Sequence, residues 1–114
     1  MSDLANHLKD VFRLFGPIEV RRMFGGYGVY RDGLMFGLVS DETLYLKADA
    51  ESAPQFRKLG LAQFEYRRKG KATKLSYYVA PETVMEDCIE AARWGRLSFN
   101  AALRGRVTKR RSSS

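Results

Sequence analysis

The first predicted element is a helix at the start of the chain. Apolar residues recur there with the period of an α-helix, at Leu4, Leu8, Val11, Phe12 and Phe15. Ser2 is placed to cap the first turn. Gly16-Pro17 is expected to end the helix, because this pair is a strong stop signal. The one histidine, His7, lies off the apolar stripe and is expected to face solvent.

Between residues 18 and 47 the pattern changes to short strands separated by turns. The predicted strands are Ile18–Phe24, Tyr27–Tyr30, Leu34–Val39 and Thr43–Lys47. Asp32-Gly33 favours a tight hairpin turn, since both residues can adopt positive φ. The strand Leu34–Val39 is apolar on both faces, which predicts an interior strand covered on each side.

A second, shorter helix is predicted over Asp49–Leu59. Both Asp49 and Ser52 are able to cap it. Pro54 is tolerated only in a first helical turn, which favours Ser52 as the cap. Gly60 then ends the helix.

The remainder predicts a second hairpin and a last helix. The strands Ala62–Arg68 and Ala72–Ala80 flank the turn, and Pro81 begins a short helical segment. Asp87 is expected to cap a helix that runs to about Leu103, with Gly105 as its C-cap.

The order of these elements is α-β-β-β-β-α-β-β-α. It predicts an α+β fold of two layers, in which an antiparallel sheet of five to six strands is flanked by helices. A length of 114 residues is typical of one domain. We expect the domain to span residues 1–104 and a basic, disordered tail to span residues 105–114.

Composition excludes several classes of protein. The single cysteine excludes an internal disulfide and a cysteine-rich zinc site. The N-terminus lacks a signal pattern, and no apolar run approaches the roughly 20 residues of a membrane helix. A cytoplasmic protein with no membrane association is therefore expected.

Glycines at positions 25, 26 and 28 do not fit a phosphate-binding loop. Such loops lead into the N-terminus of a helix, whereas these glycines lead into a predicted strand. We expect instead a bend, a bulge or a close approach of backbone segments. At least one of Gly25 and Gly26 is expected at positive φ.

No set of residues predicts catalysis. One histidine would have to act alone, and the carboxylates show no metal-ligand spacing. No metal and no cofactor are therefore expected. Cys88 begins a predicted helix, where the helix dipole can activate a thiol. A small buried apolar residue is the simpler interpretation of this cysteine.

Net charge of +7 comes mostly from the end of the chain. The basic residues of this segment are Arg104, Arg106, Lys109, Arg110 and Arg111. The segment is either a solubilising terminus or an arm that contacts nucleic-acid phosphates.

A second basic cluster surrounds the tip of the second hairpin. Its members are Arg67, Arg68, Lys69, Lys71 and Lys74, close in sequence to Tyr66, Tyr77 and Tyr78. Cations interleaved with aromatic residues suit phosphate contacts and base stacking, or contacts to an acidic partner. The alternative is a solvated hairpin whose lysines discourage edge-to-edge association. Elsewhere, Arg21 or Arg22 is expected to pair with Glu19 or Glu65.

The run from Arg21 to Gly33 resembles the signature of the TfoX (Sxy) family, in its N-terminal domain. The motif residues are Arg22, Met23, Phe24, Gly25, Gly26 and Gly28, and later Tyr77, Tyr78 and Pro81. The similarity covers about Leu8 to Leu103. It implies an antiparallel sheet flanked by helices and structural roles for the motif residues.

This resemblance also implies a function. Members of the family regulate bacterial DNA-uptake competence by controlling transcription, together with the cyclic-AMP receptor protein. Two-domain members carry a further helical domain where this chain has a basic tail, which predicts a stand-alone regulator or adaptor. The prediction is thus a non-catalytic domain with a protein partner in transcription regulation.

Two alternatives stay open at this point. The first is a module that binds nucleic acid weakly and without sequence preference, through the 67–74 hairpin and the tail. The second is an enzyme of unrecognised type. The partner and the oligomeric state do not follow from the sequence.

Overall fold

Helices and strands follow one another along the chain in the predicted order. The computed structural model describes residues 3–23 and 25–112, and only the helical backbone of residues 108–112. The helices are α1 (Asp3–Val11), α2 (Ala53–Lys58), α3 (Thr83–Glu86) and α4 (Cys88–Ser112). The strands are β1 (Glu19–Met23), β2 (Gly26–Arg31), β3 (Leu34–Ser40), β4 (Thr43–Lys47), β5 (Gln63–Arg68) and β6 (Lys71–Val79). Ser2 and Phe24 lie outside the described residues.

The six strands form one antiparallel sheet in the order β1-β2-β3-β4-β6-β5. The helices pack on one face of it, with α4 against β3 and β4 and α2 against β6. The predicted α+β class is therefore confirmed. The apolar stripe of the first helix, including Leu8, Phe12 and Phe15, is buried in this layer, and His7 is exposed as predicted.

Three hairpins close through two-residue turns in which both residues have positive φ. These turns are Asp32-Gly33, Asp41-Glu42 and Lys69-Gly70. Such turns match the right-handed twist of the strands that they join. The sequence prediction for Asp32-Gly33 is confirmed.

A β-bulge in β3 decides which apolar residues face the helices. Val29 is paired with Gly37 and Tyr30 with Met35, so Phe36 is an extra residue between the two pairs. The Phe36 ring is fully buried against the helices, 5.4 Å from the ring of Phe12. Residues Phe36 to Val39 are buried on both faces of the strand, as predicted, although helices cover only one face and the β5–β6 hairpin borders the other.

The start of α2 is capped by a residue that precedes it. Ser52 occupies the N-cap position, as predicted, but its side chain makes no capping bond. Oδ1 of Asp49 accepts hydrogen bonds from the backbone N–H groups of Glu51 and Ser52, at 3.1 and 3.0 Å. The Ser52 hydroxyl accepts in return from the N–H of Asp49 at 3.0 Å. The carboxylate of Asp49 therefore satisfies the first N–H groups of this segment.

Helix α4 begins as predicted and ends later than predicted. The carboxylate of Asp87 accepts a hydrogen bond from the N–H of Ile89 at 2.9 Å, as a cap does. The helix then continues through Gly105 to Ser112, so the predicted end at Leu103 and the C-cap at Gly105 are wrong. No helix in the described ranges is both long enough and apolar enough to cross a membrane.

Candidate functional site: a cleft on the open face of the sheet

The face of the sheet opposite the helices carries a cleft of about 650 Å³. Strands β1 to β6 all contribute to it. Its apolar lining comprises Met23, Tyr27, Met35, Leu38, Val39, Tyr45, Phe64, Tyr66, Leu75 and Tyr77. A volume of this size falls within the range of about 300–1,000 Å³ that is typical of small-molecule pockets.

One wall of the cleft is the β5–β6 hairpin, which bends across the sheet. Gln63 is paired with Tyr78 and Glu65 with Lys74, so three residues of β6 lie opposite Phe64 alone. An irregularity of this kind bends a strand pair. As a result, the ring of Phe64 on β5 lies 4.7 Å from the ring of Tyr45 on β4, although β6 separates the two strands.

The other wall is built over the motif glycine Gly28. A Cβ atom at this position would lie 2.8 Å from the sulfur of Met23 and 3.0 Å from that of Met35. Two methionine side chains therefore pack directly over the glycine backbone. Met23 stays 40% exposed there, as a large apolar residue on an uncovered face.

Gly25 lies in the turn between β1 and β2, and Gly26 begins β2 opposite Met23. Gly25 has φ +69°, so the prediction of positive φ in this pair is confirmed. At Gly26 a Cβ atom would lie 1.9 Å from the carbonyl oxygen of Val39, which no side chain can tolerate. The glycine motif thus lets β2 pass close to β3 at the edge of the cleft.

Charged groups surround the cleft and several are already engaged. The Arg21 guanidinium pairs with Glu19 at 3.0 Å, as expected, and lies 4.7 Å from the centre of the Tyr30 ring. Nζ of Lys47 lies 5.0 Å from the centre of the Tyr77 ring. Burial, reinforced by the neighbouring Tyr30, raises the pKa of Tyr77 to about 12, so this hydroxyl stays protonated at neutral pH.

The basic hairpin predicted from the sequence borders the cleft. Arg67 lines it and lies 3.5 Å from Glu65. The cations Arg68, Lys69, Lys71 and Lys74 are exposed on the same hairpin. No ion pair joins these four to a described carboxylate. One side of the cleft therefore presents unneutralised positive charge to solvent.

The second predicted cluster is divided by the structure. Arg104 pairs with Asp49 and Glu51 at 2.6 and 3.1 Å, so its charge is already engaged within the fold. Arg106 is exposed on α4. The side chains of Lys109, Arg110 and Arg111 lie outside the described residues.

The other motif residues occupy different surroundings. Arg22 is exposed on β1, while Tyr77 lines the cleft from the opposite side of β6 to Tyr78. Tyr78 stacks on Phe56 at 5.3 Å among the helices, and Pro81 is buried. Motif residues thus contribute to both faces of the sheet.

Sequence reasoning missed the cleft itself and its central residues Met35, Leu38, Tyr45 and Phe64. One sequence feature could have indicated the cleft: β3 has apolar residues on both faces, and one layer of helices can cover only one of them. The bend of the hairpin gives no such local signal, because it depends on how β5 and β6 pair.

Groups able to perform catalysis are dispersed. Cys88 is half-buried, which corrects the expectation of a buried apolar residue, and its sulfur accepts a hydrogen bond from Arg13 at 3.4 Å. Within residues 3–23 and 25–112, no group of His, Cys, Asp or Glu side chains is arranged to hold a metal ion.

Comparison with known proteins gives a consistent result. Residues 10–102 match the family model described as the TfoX N-terminal domain. The chain is 33% identical over 94 residues to Protein Sxy of Escherichia coli, covering 82% of the chain and 45% of that relative. It is 30% identical over 82 residues to DNA transformation protein TfoX1 of Aliivibrio fischeri, covering 72% and 39%. The chain spans less than half the length of these relatives. Its glycine motif, its sheet and this match together place it in one family: the chain belongs to the TfoX N-terminal domain family.

Proposed function

We propose that this chain is a non-catalytic regulatory domain that acts by binding, in the bacterial cytoplasm, in the control of transcription for DNA transformation. The observation that carries the proposal is the uncovered face of the sheet. A sheet face rich in apolar residues is normally packed against another layer. Here Met23, Tyr66 and Leu75 remain 37–40% exposed around a cleft.

Exposed apolar residues gathered at one site mark interaction surfaces in soluble proteins. Two of the lining residues are methionines, whose flexible side chains adapt to the shape of a partner. The dispersed catalytic groups support binding over catalysis. The name of the Aliivibrio fischeri relative, DNA transformation protein TfoX1, supports the link to DNA transformation.

A domain exchange tests this function. In Aliivibrio fischeri, the matching segment of TfoX1 is replaced by this chain and the frequency of natural transformation is measured. We expect the chimera to support transformation, because the exchanged segments belong to one family. A folded chimera that gives no transformation would contradict the proposal.

Two exposed leucines provide a matched pair of variants for the same assay. Leu75 is 37% exposed in the cleft, and Leu59 is 56% exposed at the end of α2, away from the cleft lining. Leu75→Glu is expected to lower the transformation frequency, whereas Leu59→Glu leaves it unchanged. Equal effects of the two substitutions would show that the cleft is not the binding surface.

A further inference from the structure

The chemistry of the cleft identifies a class of partner for the open face. Five aromatic side chains line it, Tyr27, Tyr45, Phe64, Tyr66 and Tyr77. Tyr66 is the most exposed of these five side chains, at 40%. Aromatic rings on the open face of an antiparallel sheet are the groups on which unpaired nucleobases stack.

The β5–β6 hairpin beside the cleft carries the positive charge that binding of phosphates requires. Arg68, Lys69, Lys71 and Lys74 are exposed beside the cleft and have no ion-pair partner among the described carboxylates. Arg67 lines the cleft directly. Exposed cations beside a cleft lined by aromatic rings match a polymer with charged phosphates and flat bases.

The carboxylates of the cleft fit the same partner. Asp41 and Glu65 are part of the lining. Carboxylates repel phosphates, but they accept hydrogen bonds from the exocyclic amino groups of bases. The cleft therefore offers hydrogen-bond acceptors and aromatic rings to bases, beside a hairpin whose exposed cations can contact phosphates.

We propose that the cleft and the β5–β6 hairpin bind single-stranded nucleic acid, with bases in the cleft and phosphates along the hairpin. The proposal rests on the proposed function, since it names the partner of the same open face. A duplex is disfavoured because its bases are stacked inside the helix and cannot enter a cleft. An acidic peptide would satisfy the cations but would leave the aromatic rings without a stacking partner.

Fluorescence anisotropy with the full chain tests this proposal. The probes are labelled 12-mers of deoxycytidine and of cytidine, whose bases carry an exocyclic amino group, a 12-base-pair duplex, and a peptide of 12 glutamates. We expect both single strands to bind more tightly than the duplex or the peptide. The two single strands also distinguish DNA from RNA as the preferred form.

Substitutions of one ring and one cation separate this mode of binding from non-specific attraction. Tyr66→Ala is expected to weaken single-strand binding at least about fivefold, while Tyr66→Phe retains it, because phenylalanine still stacks. Lys74→Gln is expected to weaken binding and to reduce the log-log salt slope by about 0.7. Lys9→Gln, which removes an exposed charge on α1, is the control and leaves both unchanged.

Each other outcome overturns the proposal. Equal binding of duplex and single strand, with no effect of Tyr66→Ala, would assign the affinity to diffuse positive charge. Tighter binding of the glutamate peptide would assign the cleft to an acidic protein segment. No binding of either single strand would exclude a nucleic-acid partner.

The transformation assay tests the proposed regulatory function separately from the binding of single strands. If the chimera restores transformation and Leu75→Glu abolishes it while single strands fail to bind, the open face binds another partner. In that case the regulatory function stands and the single-strand proposal is wrong. If single strands bind as expected but the chimera is inactive, the binding activity stands and the role in transformation does not.

Discussion

Arg104 on α4 and Asp49 after β4 form a bidentate ion pair. Nε of Arg104 lies 2.6 Å from Oδ2 of Asp49, and Nη2 lies 3.0 Å from Oδ1. The same carboxylate caps the segment leading into α2. One aspartate thus joins the long C-terminal helix to the loop after the fourth strand, and a residue predicted to contact phosphates is a structural link.

This ion pair predicts a pH-dependent contribution to stability. The hydrogen bond from Arg104 lowers the pKa of Asp49 to about 2, from its ordinary value of 3.8. A carboxyl with a lowered pKa stabilises the fold above its ordinary pKa, and this stability is lost as the pH falls from about 4 through 2. Arg104→Gln is expected to lower the free energy of unfolding by about 1 kcal/mol at neutral pH.

Urea unfolding of both proteins at several pH values measures the effect. The difference between wild type and Arg104→Gln should shrink as the pH falls from about 4 to 2. Arg96→Gln, an exposed substitution on the same helix, is the control and should have little effect at any pH. A difference that does not change with pH would show that the pair contributes no linked stability.

Substitutions at Gly26 and Gly25 are expected to destabilise the fold to different extents. Gly26→Ala places a Cβ atom against the carbonyl oxygen of Val39, so we expect a loss of more than about 3 kcal/mol or failure to fold. Gly25→Val is expected to cost more than about 1 kcal/mol because Gly25 has φ +69°. Gly25→Asn is the milder control, since asparagine tolerates this conformation. Unchanged melting temperatures would refute the structural role of the motif.

Gly105 tests where the last helix ends. It lies inside α4 with open space around its Cα atom. Alanine is favoured over glycine in a helix by roughly 1 kcal/mol, so Gly105→Ala should raise stability by up to that amount. If Gly105 were a C-cap at positive φ, the same substitution would destabilise the protein. The sign of the change in thermal unfolding therefore decides between the two.

The turn between β3 and β4 contains a correctable weakness. Glu42 has φ +56°, a conformation that disfavours side chains with a Cβ atom. Glu42→Gly would create the Asp-Gly pair that the neighbouring hairpin already uses at Asp32-Gly33, so we expect a gain of about 0.5–1 kcal/mol. Gly33→Glu is the reciprocal control and should lose stability. A Glu42→Gly protein that melts earlier than wild type would contradict this.

The basic C-terminal segment predicts a measurable salt dependence on duplex DNA. With Arg104 engaged by Asp49, the cations left are Arg106, Lys109, Arg110 and Arg111. If all four contact phosphates, the log-log salt slope should be about −3.6, at about −0.9 per contact. The full chain is compared with a version ending at Arg104, which keeps the ion pair. Equal affinity and slope in the two would exclude this segment as a DNA arm.

Most of the fold could be predicted from local signals. The helical period around Leu8, the Asp32-Gly33 turn and Gly60 at the end of α2 each specify an element by chemistry within a few residues. The cap at Asp87 is local in the same way. The elements that these local patterns predict are present in the structure because tertiary packing favours the same conformations.

The cleft and the end of α4 could not be predicted in this way. The cleft depends on two irregular pairings, one that turns Phe36 toward the helices and one that brings Phe64 against Tyr45. From the sequence alone Gly105 predicted a helix end, because glycine is common just after a helix. In the structure Arg104 anchors α4 by pairing with Asp49, which lies 55 positions earlier in the chain. Both features follow from contacts between distant segments, which a local pattern does not contain.

The strand order has a consequence for the rate at which this domain folds. The pairings within β1 to β4 all join strands that are neighbours along the chain, and so does the pairing of β5 with β6. The β1–β4 unit and the β5–β6 unit are joined by one strand pairing, that of β4 with β6, at whose centre Leu46 lies opposite Tyr78. Local pairings close short loops at little entropic cost and form early, whereas this one closes a long loop. We therefore expect the β4–β6 pairing to limit the folding rate, with the two hairpin units already formed when it occurs.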